Sequence, residues 1–346
     1  MNWQEVDVWI EFRKPRKRPD SAECNAAAEA GNLQELQRLL NQGVMWNEGV
    51  CAAAAKGNQF ELLKWARLNG CPWDEETCEN AAEGGHLEML QWARENHCPW
   101  DYQTCLNALK GGHFEVLKWA TANRCPWDSK QMRNWAAIGG NLDVLKWVWA
   151  RIGLGMARDI QDVCSHAASH GGLEMLQWLR ANGAPWDAEV CARAACAGDL
   201  KMLKWARENG CPWDVWTCAG AARNGHLEVL QWARENGCPW STSTCSAAAA
   251  SDHLEILQWA RENGCTWGTT VCSSAAEMGH LNILKWVHMK GCLWDESTCS
   301  RAAKNGYLEI LQWARENGCP WDAYTCSAAA GSGHLGILKW EATRRQ

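Results

Sequence analysis

The sequence predicts an all-α chain: a helical solenoid of about twelve helix-turn-helix repeats. Three observations predict it. A large apolar residue recurs at Leu33, Phe60, Leu87, Phe114, Leu142, Leu173, Leu200, Leu227, Leu254, Leu281, Leu308 and Leu335, spaced by 27 in nine of eleven intervals and by 28 and 31 in the other two. Apolar and small residues between these origins fall at helical spacing. Turn residues punctuate the pattern at fixed offsets. The aromatic skew fits a motif copied many times, with 26 Trp against three Tyr and three Phe.

Each unit predicts two short helices, A and B. Helix A opens thirteen residues before the origin. Eleven of the twelve residues there are capping types, Asp20, Asn47, Asp74, Asp101, Ser129 and Asp187 among them, which satisfy the open N–H groups of a first turn. A Cys-x-x-Ala-Ala core follows, as in Cys78, Ala81 and Ala82, with its small residues on one face. The first Ala of that core is Ala in all twelve units. Helix A stops two residues before the origin, at a column that is Gly in ten units, Asn58 in the second and Asp252 in the ninth, the types that best tolerate a left-handed backbone. Helix B then runs Leu-Glu-Met-Leu-Gln-Trp-Ala-Arg in the third unit and closes at an Asn-Gly or equivalent, often with Pro two residues on. Its wide apolar face suits a helix held between neighbours in a stack.

The composition narrows the class. The chain has 346 residues, 34 Lys+Arg against 40 Asp+Glu, a formal net charge of -6 and 47% hydrophobic residues. That is a foldable composition, neither disordered nor collagen-like. The acidic balance argues against nucleic acid as a partner. No apolar run is long enough to span a membrane. Met1 to Ile10 lacks the apolar core of a secretory signal, so the 20 Cys are expected as free thiols in a reducing compartment. The expected location is the cytoplasm. "FRKPRKRPD", with its basic segment Arg13 to Arg18, adds the nucleus or a basic arm as a reading beside that of a solvated tail. Domains are expected at 1–19, an N-terminal extension, and 20–346, the repeat array, with an irregular joint at about 128–165. There Arg133 replaces the helix-A Cys, and "VWARIGLGMARDIQD" inserts extra length.

No Ser/His/Asp grouping, G-x-G-x-x-G, P-loop or H-E-x-x-H is present, so no active site, cofactor or metal is expected. Two Trp columns, one in helix B and one in the following turn, hold 21 of the 26 Trp and read as core rather than as a stacking platform for bases or sugars. Two Cys columns read as small buried apolar residues. Pairs such as Cys71 and Cys78 are the alternative, as zinc ligands or disulfides, but their C-x6-C spacing is not that of a C-x2-C zinc knuckle and no second paired motif completes four ligands. Six His stand just before the origin, among them His86, His226 and His253. Other units carry Asn or Asp there, so these His read as caps or turn hydrogen-bonders.

The phrase "AAEGGHLEMLQWARENHC" resembles the ankyrin-repeat phrase A-A-x-x-G-H-x-x-V-V-x-L-L-L-x-x-G-A position by position, and the resemblance runs from about Ser21 to Lys339. It departs in length, with 27 residues against 33 and T-C-x-x in place of T-P-L-H. The missing residues fall where that family projects a β-hairpin, so the resemblance implies ankyrin-like hairpins of helices with the finger trimmed to a short Cys-Pro-Trp-Asp turn. It also implies that the helix-A side is the concave, partner-binding side.

On helix A, positions -11, -8, -7 and -4 from the origin lie opposite the Cys/Ala face and differ from unit to unit. They are expected to be wet, and apolar members such as Leu106, Trp135, Ile138 and Trp216 then read as interface anchors. The candidate partner-binding residues are Leu106, Asn107, Lys110, Trp135, Ile138, His166, Arg193, Trp216, Arg223 and Arg301. The expected function is a non-enzymatic protein–protein interaction scaffold, monomeric, with a protein partner. The alternatives are a thiol-based metal or redox protein and a nuclear adaptor using the basic arm.

Overall fold

The computed structural model describes residues 21–152 and 162–344. The N-terminal extension, its basic segment, the Asp20 cap and part of the "VWARIGLGMARDIQD" insertion lie outside the described residues. Among those described every regular element is helical, and the chain is a helical repeat solenoid. It divides into two compact units, residues 1–135 and 136–346, with the boundary inside the helix Ser129–Ile138.

In the first unit the A helices are Ser21–Glu29, Glu48–Lys56, Glu75–Glu83 and Tyr102–Lys110, alternating with the B helices Leu33–Asn41, Phe60–Leu68, Leu87–Glu95 and Phe114–Ala122. The second unit continues from Leu142–Ile152 through such pairs as Ala188–Cys196 with Leu200–Glu208 and Val215–Arg223 with Leu227–Glu235, ending on Leu335–Arg344. Helices of nine residues are too short to persist alone, so packing must hold them. Within each unit an A helix packs chiefly on the A helices of the repeats beside it. The small residues make that approach possible: Cys78, Ala81 and Ala82 are fully buried, as are Cys218, Ala221 and Ala222. The B helices supply the larger buried side chains, such as Leu90 and Leu230, each contributing about 1.5–3 kcal/mol.

The caps form as the residue types require. Asp74 accepts from the Glu76 N–H at 3.1 Å and Asp187 from Glu189 at 3.0 Å. In the fifth repeat the sequence expectation is corrected: Asp128, not Ser129, caps the helix, accepting from the Gln131 N–H at 2.7 Å. The extra residue of the 28-residue interval is taken up in a ten-residue helix A. In the sixth repeat helix A runs Val163–His166 and then widens to a π-turn over Ala167–Gly171. The π-turn holds one more residue than an α-turn, so the positive-φ glycine moves one place on, to Gly172 at φ 75°.

Where the joint lacks a Cys-Pro-Trp turn, the elongated helix Leu142–Ile152 compensates. Trp149 is 7% exposed and meets Trp178 edge-on, with ring centroids 5.6 Å apart. Arg133, standing for the helix-A Cys, is buried at 1% exposure.

Candidate interaction surface

The residues that repeat are occupied with holding the hairpins together. At eight B-helix ends an Asn side chain donates to the carbonyl of the helix-B Trp, as Asn236 does to Trp232 at 2.8 Å. The Arg of Trp-Ala-Arg donates to the carbonyl two residues past that Asn, as Arg315 does to Cys319 at 3.2 Å. Its guanidinium also covers the turn Trp, Arg234 over Trp240 at 4.2 Å and Arg67 over Trp73 at 4.0 Å. The turn Trp meets the helix-B Trp of the next repeat edge-on, as in Trp213–Trp232 at 5.9 Å and Trp240–Trp259 at 5.8 Å. In the tenth repeat His288 replaces the Arg and stacks on Trp294 at 3.8 Å.

These indoles are half-buried, a correction to the reading of them as core. They lie at the rim between helix B and the turn rather than between two layers. Open clefts recur beside them. One of about 400 Å³ is lined by Gln231, Arg234, Glu235, Trp240, Trp259 and Asn263, and one of about 550 Å³ includes Trp46, Trp65 and Asn69.

The His column links repeats. With Nε2 carrying the proton, His226 donates to the Cys196 carbonyl and His253 to the Arg223 carbonyl, both at 3.1 Å, closing the C-terminal end of the preceding helix A. Gln59 reaches the Glu29 carbonyl in the same way at 3.4 Å. The ring lies over the positive-φ glycine of the preceding repeat: a Cβ on Gly225 (φ 82°) would stand 2.9 Å from the His253 ring. Among the described residues no group of three or more His, Cys, Asp or Glu is placed to hold a metal ion. Nor is any helix there long and apolar enough to cross a membrane.

The A-helix stripe is less uniformly wet than its spacing predicts. Its -11 and -4 columns are exposed or half-buried throughout, whereas its -8 column is buried in half of the repeats. Leu106 is therefore corrected from anchor to core: it is 2% exposed, because A helices pack directly on one another. Asn107, Trp135, Ile138 and His166 are half-buried. Lys110 is exposed, with its ammonium 4.9 Å from the centre of the Trp135 ring. Burial holds the His166 imidazole below its ordinary pKa; Asp162 opposes this, and Arg193 and His170 add to it. Arg193 is exposed and paired with Glu189 at 2.7 Å. Arg301 pairs with Glu277 of the preceding repeat. Arg223 is exposed, and Trp216 is 60% exposed.

Tyr324, 66% exposed in the same column as Trp216, was not singled out by sequence reasoning, although its column would have found it. Nor were Met45 and Leu293, both exposed, whose signal is an apolar residue where Pro usually follows the Cys. Glu79 is half-buried, and burial raises its carboxyl to about 7, with Asp101, Glu76, Asp74 and Glu75 adding to the effect.

No family model matches the chain, and no curated protein matches it. Among solved structures it resembles two crystal structures of the pentatricopeptide repeat protein PPR10 in complex with an 18-nt psaJ RNA element, one of them a cysteine-substituted variant. In both the identity is 15% and the TM-score 0.46, over 94% of this chain and 58% of the other. The chain thus spans less than two thirds of the structures it matches. The expectation against nucleic acid is corrected: overall charge is no ground for it, and the helical repeat protein of those structures is in complex with RNA. A net charge of -6 sums the whole surface and does not decide what one face binds.

Proposed function

We propose that the chain is a non-enzymatic binding scaffold that takes a protein partner on the A-helix stripe, with Trp216, Arg193 and Arg223 as the centre of the site in the second unit. The observation that carries this is a division of labour. The repeating Arg, Asn, His and turn Trp are engaged in internal contacts, whereas the stripe varies from repeat to repeat and leaves a large indole in water. An exposed Trp sharing a stripe with Arg side chains is the composition from which interface anchors are drawn. Mounting it on packed helices lowers the ordering entropy lost on binding. The trimmed ankyrin variety of repeat is part of this reading, supported by the A-A-x-x-G-H phrase in phase across the array and by the short Cys-Pro-Trp turns.

The test is affinity purification with the full chain, wild type beside Trp216→Ala and Arg223→Glu, each with and without ribonuclease. A protein captured by the wild type, insensitive to ribonuclease and lost from both variants supports the proposal. Capture that ribonuclease abolishes assigns the surface to RNA instead. Capture unchanged in the variants removes the stripe from the site.

A further inference from the structure

The two cysteine columns meet in space, though not as sequence neighbours. Cys71 does not pair with Cys78. In eight repeats the turn Cys lies beside the helix-A Cys 20 residues earlier and interacts with it thiol to thiol, as Cys71 does with Cys51, Cys98 with Cys78 and Cys238 with Cys218. All these thiols are free and buried. The turn thiol also donates to the carbonyl of the residue that caps its own helix A, Cys98 to Asp74 at 3.4 Å and Cys211 to Asp187 at 3.3 Å. Each pair therefore sits where the start of helix A meets the end of helix B. In the repeats that keep the Arg of Trp-Ala-Arg, the pair is held by the cap on one side and by that Arg, bonded to the turn Cys carbonyl, on the other.

We propose that these pairs are oxidative modification sites: a peroxide converts each of them to a within-repeat disulfide that staples the start of helix A to the end of helix B. The turn sulfur stands against the carbonyl one helical turn before the helix-A Cys, as Cys98 does 3.4 Å from that of Asp74, so the two sulfurs of a pair share one buried junction. The thiolate of one Cys attacks a peroxide oxygen and the O–O bond breaks. This leaves a sulfenic acid and a hydroxide that takes up a proton to become water. The second sulfur then displaces the sulfenic hydroxyl, which leaves as a second water. Two thiols are oxidised and one peroxide is reduced to two waters.

Burial pushes the Cys218 thiol up and opposes ionisation of Cys238 as well, so a sulfur of the pair attacks only once the junction opens. Local opening of the turn admits the oxidant. Each bond closes a loop holding most of both helices of its repeat and restricts the unfolded chain.

Cys164 is a built-in control. It is fully buried, burial pushes it up to about 12, and Ala184 stands where its turn partner would be.

The experiment treats the full, reduced chain with graded hydrogen peroxide under native conditions and maps cross-links by non-reducing peptide mass spectrometry, with a melting curve at each dose. The expected result is loss of two hydrogens per cross-link, with bonds joining Cys 20 residues apart and Cys164 still alkylatable. The oxidised chain should unfold at higher temperature, and dithiothreitol should reverse the shift. Cys238→Ala should lose its one cross-link and keep the others. Should it fail to fold, Cys238→Ser retains a donor for the Asp214 carbonyl and makes the same test. Cross-links between neighbouring repeats or between molecules would overturn the proposal. So would sulfinic acids without cross-links, cysteines that stay reduced until the chain is denatured, or a lowered melting temperature.

Discussion

Gly225 shows how one column can be specified twice. Its φ of 82° is strained for any side chain, and the His253 ring occupies the space a Cβ would need. Gly210 has nearly the same φ, 81°, with nothing within 4 Å of a Cβ. Gly210→Ala should therefore lose about 1 kcal/mol from backbone strain alone, and Gly225→Ala distinctly more; urea unfolding of the two variants measures the ring's share. Glu79 carries a pH prediction. Its carboxyl is raised to about 7 in the fold, above its ordinary value of 4.5, so the folded chain holds a proton that the unfolded chain has lost between those values. Stability should fall as pH rises through that window, and Glu79→Gln should flatten the fall, raising the melting temperature at pH 8 and leaving it nearly unchanged at pH 4.5. A variant with the wild-type slope would count against the shift.

At the scale of the element, the turn clasp and the joint can be tested separately. Arg234→Ala removes both the cover on Trp240 and the donor to the Cys238 carbonyl, and should cost about 1–2 kcal/mol in urea unfolding. Arg234→Lys restores a charge but not a planar donor able to stack and bond at once, so it should recover only part of the loss. Trp149→Ala should cost about 3–5 kcal/mol, far more than truncation of a half-buried turn Trp, because Trp149 fills the interior of the joint. The helices themselves were legible from the sequence: period, caps and the positive-φ column follow from local chemistry, since a nine-residue helix and its turn are decided within one repeat. The Asp128 cap was not, because choosing between adjacent capping residues depends on where the packed helix begins.

At the scale of the molecule the central prediction separates binding from stability. Trp216→Ala should remove the partner while changing unfolding by less than about 0.5 kcal/mol, as an exposed side chain should. Leu106→Ala should do the reverse, costing about 2–4 kcal/mol by opening a cavity between A helices. Equal losses of stability in both would mean the stripe is structural throughout. The sequence by itself determined the repeat, the helix pairs, the caps and the small-residue face, because all of these repeat at a period the chain displays. Only the tertiary structure decided that Leu106 is core and Trp216 is not, that Cys71 meets Cys51 rather than Cys78, and that Trp149 stands in for a missing turn. The physical reason is that helical spacing shows which face of its own helix a side chain takes, whereas the closeness of the next helix determines whether that face sees water.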